Sequence, residues 1–300
     1  SEVTQDDFGN YRAIDGVDAA PSSAHTYDNN LYLPIADRFL TYGGAAYNNG
    51  SGFKKQINAT TVRSTGPYVF NMLLGSDNKV GGTTGSHVKR VAPYPEILGG
   101  NMWTNRDLYG NSQISMPARF VNGTTAVTSE NGYDVVYLSA ISGGTAQQLY
   151  KHTIVDINNP SLDQWEQVGR YWNAFNGKGA GAFSPDLNLY LRTATSDFVY
   201  WDLNNPGTNN RNVKFQPTDL SGEFVPSGNY GLDYNQVTNQ FLLWKGGKDI
   251  WVLDPPAGVS ATGWTIDKQN VQSTTFPNGE FGTSRCNRFA SAVVNHQPHP

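Results

Sequence analysis

One cysteine, Cys286, stands among 300 residues, so the chain can form neither an internal disulfide nor a cysteine-based zinc cluster. Charge is scarce as well. Asp, Glu, Lys and Arg together make up 15% of the chain, where about a quarter is usual. Neither sign dominates: the formal net charge is −4, which removes the simple electrostatic case for nucleic acid or an anionic membrane surface as partner. No window approaches 18 continuous apolar residues, so no membrane-spanning helix is expected. There is no Gly-x-Ser-x-Gly nucleophile motif. The glycine-rich Gly81–Ser86 segment lacks the following Lys of a phosphate-binding loop.

Turn-forming and aromatic residues are plentiful instead. The chain holds 32 Gly, 30 Asn and 16 Pro, and 12% of it is Phe, Trp or Tyr. Disordered chains lack such aromatics, and helical bundles are built from Ala, Leu, Glu and Lys. The composition reads as all-β, and it fits a secreted or periplasmic protein whose stability comes from a large core.

A repeat of about fifty residues organises this pattern. Three segments align on an Asp or Asn: Tyr32–Leu40 on Asp37, Phe183–Leu191 on Asn188, and Tyr234–Leu242 on Asn239. Each has an aromatic five residues before the anchor, an aromatic two after it and Leu three after it. The pattern predicts a hairpin whose turn closes on the anchor, because Asp and Asn cap local N–H groups and tolerate left-handed backbone. Glycine pairs follow at Gly43-Gly44, Gly143-Gly144 and Gly246-Gly247. A later strand then ends in an aspartate and a Pro-bearing turn, at Asp156, Asp202 and Asp254. Beyond these come Trp165, Phe215 and Trp264 in comparable places. Asn188 and Asn239 are 51 residues apart, and Asp37 lies 151 before Asn188, or about three periods. Four short antiparallel strands need this length, and closing such units into a ring removes exposed edges. The expected fold is a single-domain β-propeller over residues 1–300, built of four-stranded antiparallel blades.

The order glycine pair, aromatic, Asp, Trp in Gly143-Gly144…Tyr150…Asp156…Trp165 and Gly246-Gly247…Trp251…Asp254…Trp264 resembles kelch repeats. The chain is similar to the kelch-like propellers that include the central domain of galactose oxidase. Counting the glycine pairs and a closing blade gives about six blades, with five or seven as the alternatives. Residues 276–295 would supply strands of the last blade, completed by the N-terminal segment 1–23 around Tyr11–Ile14. Residues 74–125 fit the repeat least and read as a degenerate blade, with an irregular insertion at 76–112. A galactose-oxidase-like copper site finds no residue-by-residue match, so neither a metal nor another cofactor is expected.

Candidate chemistry gathers around two histidines. His25 lies twelve residues before Asp37, in a loop that would enter an innermost strand, and His87 would lie in the next such loop. With Tyr27 and Arg90 they offer a base, an acid and a cation, the set that β-elimination on a uronic-acid polymer requires. The plainer reading makes each histidine a structural ring bonded to a neighbouring turn. Trp103, Asn105, Arg106 and Tyr109, at the insertion, form the candidate ligand-binding set. Of the further aromatics Trp172, Trp201, Trp244 and Trp251, most are expected in the core, leaving one or two for a sugar face. The expected function is a recognition module for an extracellular glycan or protein, with the ligand at the channel mouth. A polysaccharide lyase and a non-catalytic scaffold are the alternatives.

Overall fold

The computed structural model describes residues 3–5, 11–13, 21, 25–44, 54–56, 62–64, 66–74, 103–106, 119–141, 147–175 and 177–269. The protein is all-β. The chain divides into two compact units, Ser1–Gly123 with Val127–Gln167, and Thr124–Ala126 with Val168–Pro300. Among the described residues four sheets have the meander order of propeller blades.

The first blade consists of Asn30–Leu33, Arg38–Thr41, Tyr68–Phe70 and Trp103–Asn105, and the second of Arg119–Glu130, Tyr133–Ile141, Gln147–Ile154 and Gln164–Gly169. The third runs through Gly181–Ser184, Leu189–Thr193, Phe198–Asp202 and Val213–Phe215. The fourth contains Gly231–Asn235, Gln240–Trp244, Ile250–Asp254 and Thr265–Gln269, with Thr218–Asp219 added as a fifth strand.

The anchors do what their side chains permit. Asp37, Asn188 and Asn239 all adopt left-handed backbone, with φ of 52°, 48° and 57°, a region that Asn and Asp enter at low cost. A fourth anchor, Asn131 with φ 50°, closes the first hairpin of the second blade together with Gly132 at φ 82°. Positive φ at both residues is what an Asn-Gly hairpin turn requires. Among the described residues, the 151 residues from Asp37 to Asn188 therefore step across two blades, where the sequence suggested three periods. The excess lies in the first blade, whose second and third strands are separated by a small hairpin, Lys54–Gln56 with Val62–Ser64, and whose outer strand arrives only at Trp103. This corrects the expectation of a separate degenerate blade over 74–125. Of the expected insertion, Trp103–Asn105 is the outer strand of the first blade, and 76–102 and 107–112 lie outside the described residues. So do Gly143-Gly144 and residues 276–295; Tyr11–Ala13 pairs with Val3–Gln5.

The recurring aspartates also share a task. Asp156 Oδ1 accepts from the Asn158 N–H at 2.8 Å and Asp202 Oδ1 from the Asn204 N–H at 2.9 Å. In the fourth blade the residue two past Asp254 is Pro256, which has no N–H, and Asp254 Oδ1 accepts from Gln240 Nε2 at 2.7 Å instead. Trp165, Phe215 and Trp264 are all buried.

Each unit has its own core. In the first, Leu31, Leu40, Tyr42, Val136, Leu138, Tyr150 and Trp165 belong to one cluster. In the second, the cluster includes Leu191, Phe198, Phe215, Phe241, Trp251 and Trp264. Leu189–Thr193 is buried at every position, which needs cover on both faces of the strand. The linkers within the second unit use a shared device: each runs parallel to the outer edge of a blade. Thr218 and Asp219 pair with Thr265 and Ile266, and Arg170 pairs with Arg211 just ahead of the third blade's outer strand.

Candidate functional site

Among the described residues, a buried polar network lies inside the first unit. Arg106, immediately after the outer strand of the first blade, is 0% exposed. Its Nε donates to Asp163 Oδ2 at 2.7 Å and its Nη2 to Oδ1 at 2.5 Å, a two-pronged pair. Nη1 donates to the Ile157 carbonyl and Nη2 to that of Asp156. The chain continues through His152, whose Nε2 lies 3.0 Å from Asp163 Oδ2 and whose Nδ1 lies 2.8 Å from the Tyr42 hydroxyl.

Burial holds His152 below its ordinary pKa against the pull of Asp163, so the ring is neutral at pH 7. A neutral ring satisfies both neighbours when Nε2–H donates to the carboxylate and Nδ1 accepts from Tyr42. Burial likewise lifts the Tyr42 phenol well above its ordinary value, keeping the hydroxyl a donor. For Asp163, burial pushes upward, but the hydrogen bond from His152 and the Arg106 guanidinium outweigh it and keep the carboxyl low. Trp165 stacks on the His152 ring at 4.0 Å and 10°. A Tyr–His–Asp chain has the composition of a proton relay, but the Tyr42, His152 and Asp163 side chains are fully enclosed. It works as an internal brace.

The structure separates the sequence-derived candidates. His25 is exposed, and its backbone carbonyl lies where a Cβ on Gly44 would sit, 1.8 Å away. Only glycine fits at Gly44, which accounts for that half of the glycine pair. Tyr27 follows with φ 52°. His87, Arg90 and Tyr109 lie outside the described residues, so no geometry joins His25 and Tyr27 to them. Trp103 is half-buried, 4.8 Å from the Phe70 ring and edge-on to Phe39. Asn105 is half-buried opposite Tyr68. Arg106, offered by the sequence as a ligand-binding group, instead makes its four hydrogen bonds inward.

The second unit presents a different arrangement at its surface. Of the seven tryptophans, Trp172 alone is exposed, at 52%. Trp201 and Trp251 are core residues, as expected for most of the group. The Arg211 guanidinium lies over the Trp172 ring at 3.6 Å, and that of Arg170 is 5.7 Å from the ring centre. Both arginines are themselves exposed. The backbone beneath is tightly held. Asn212, 1% exposed, accepts through Oδ1 from the N–H groups of Trp172 and Asn173 at 2.6 and 3.0 Å. Asn212 Nδ2 donates to the Asn173 carbonyl, and Asn173 Nδ2 returns the bond to that of Asn212. Arg170 N–H donates to Asn210, and the Arg170 carbonyl accepts from Trp201 Nε1. Sequence reasoning placed Trp172 only in a general pool of aromatics. Its link to Arg211, 39 residues later, has no local signature.

No family model matches the chain, and no curated protein does. No helix among the described residues is long and apolar enough to cross a membrane.

Proposed function

We propose that this chain is a kelch-like recognition module of an exported protein, secreted or periplasmic, that binds an extracellular glycan or protein through an aromatic platform. The observation that carries the reading is the exposed Trp172, whose backbone is fixed by the Asn173–Asn212 clamp. An apolar ring left in water costs free energy that burial elsewhere would recover, and a rigid ring loses little entropy on binding. Stacking on the C–H face of a sugar uses such a ring, and nearby amide and guanidinium donors satisfy hydroxyls.

The test is a broad glycan array with the whole chain and with Trp172→Ala. Binding that vanishes in the variant, with an unchanged melting temperature, supports the reading; wild-type binding that survives the substitution overturns it. The same polymers test the lyase alternative, which the exposed His25 keeps in view. Unsaturated ends absorbing in the ultraviolet, formed from uronic-acid polymers and lost in His25→Ala, would replace binding by catalysis. Absence of any hit, together with self-association in sedimentation, would leave the scaffold alternative.

A further inference from the structure

We infer that the Trp172 platform selects acidic saccharides, with a sugar carboxylate held by Arg170 and Arg211. The inference rests on the recognition reading above and adds a charge requirement to it. Two guanidinium groups gather at one exposed indole, at 3.6 and 5.7 Å from the ring centre. The backbone forces them together, because Arg170 and Arg211 pair with each other where the linker runs beside the third blade. Like charges gathered at one ring repel one another, and a bound anion relieves that repulsion.

Several described surface cations are paired with carboxylates. Lys151 meets Glu130, Lys214 meets Asp197, and Lys268 meets both Glu223 and Asp249. Arg170 and Arg211 have no carboxylate partner among the described residues. In a chain of net charge −4, two such adjacent arginines are a local feature and not a by-product of general basicity. Guanidinium groups match the flat, two-oxygen geometry of a carboxylate. The exposed indole beside them supplies the apolar surface that a pyranose ring stacks on. An acidic peptide offers the same carboxylate without the ring face, and a neutral sugar offers the ring without the charge. A uronic acid offers both.

The experiment titrates the whole chain with three probes: oligogalacturonate, the same oligomer as its methyl ester, and poly-glutamate. Oligogalacturonate is expected to bind at least about tenfold more tightly than the ester, the worth of one charge-assisted contact, and to weaken with added salt. Arg170→Gln with Arg211→Gln should bring the two saccharides to equal affinity. Lys248→Gln, at an exposed cation between the second and third strands of the fourth blade, should leave both unchanged. If acid and ester bind equally to the unmodified chain through Trp172, the charge requirement is overturned and the recognition reading stands. If poly-glutamate binds as tightly as oligogalacturonate, and Trp172→Ala does not weaken it, an acidic peptide is the ligand and the inference is overturned. If none of the three binds, the inference is overturned; the glycan array then judges the recognition reading separately.

Discussion

Trp165 and Trp264 occupy comparable places in the second and fourth blades, and each lies against a different kind of ring. Trp165 stacks on His152, which accepts from Tyr42 on one side and on the other donates to Asp163, itself held by Arg106. Trp264 stacks on Phe215 at 4.3 Å, within an aromatic group that includes Tyr200 and Phe241. The contrast teaches that one blade plan tolerates two ways of tying a core. Apolar packing is non-directional and proportional to area. A buried polar chain stabilises only when every member is satisfied, and it then fixes register as well.

The sharpest way to break this contrast is to remove the carboxylate. Asp163→Ala should cost about 3–5 kcal/mol in urea unfolding, because Arg106 is left as a buried unpaired charge. A loss below about 1 kcal/mol would mean that the brace is dispensable. Exchanging the two stacking partners comes next. His152→Phe preserves a ring under Trp165 but strands the Tyr42 hydroxyl and leaves Asp163 Oδ2 with Arg106 alone, and about 2 kcal/mol is expected. Phe215→His should cost a similar amount, by placing a polar ring where nothing accepts from it. If either exchange is neutral, the two stacks are equivalent and the comparison fails.

Acid sharpens the comparison further. His152 and Asp163 both titrate below their ordinary values when folded, so the unfolded chain binds the extra protons and stability falls with pH. The His152 share is complete above about pH 6.5 and is lost below it, at no more than about 1.4 kcal/mol per pH unit. The Asp163 share is lost only below about pH 3.9. Urea midpoints at pH 7.5 and 5.5 should therefore differ less in His152→Gln than in the unmodified chain; an equal difference would remove His152 from the acid response. The smallest effect belongs to the turns. Asn131→Ala and Asn239→Ala should each cost about 1 kcal/mol, since both residues hold positive φ. A difference between the two would show that the turns of the two units are not interchangeable.

Much of the blade pattern was legible because turns are local. Asp37, Asn188 and Asn239 were found from flanking aromatics, and their left-handed backbone followed from side-chain chemistry. Asn131 escaped because Ala126 stands where the other anchors have an aromatic, and Asp134 stands where they have Leu. That exchange has its own cause: the Asp134 carboxylate accepts from the N–H groups of Ile35 and Ala36 at 3.0 and 2.8 Å. A residue recruited to secure a neighbouring blade's turn no longer follows its own repeat. The outer strand at Trp103 was hidden for a related reason. Spacing locates a strand only when the preceding loop is short, and here more than thirty residues separate it from Phe70.

The sequence by itself determined the all-β class, the hairpin turns and the recurring places of Trp165, Phe215 and Trp264. Each depends on φ preference, on period or on the burial of a large ring, and these act within a few residues of chain. Tertiary structure alone decided that Arg106 meets Asp163, 57 residues away, and that Arg170 and Arg211 share one exposed indole. Such meetings depend on which strand edges lie side by side and in what register. Register over long separations is set by the whole fold, and a single residue moved along its strand turns the side chain to the opposite face.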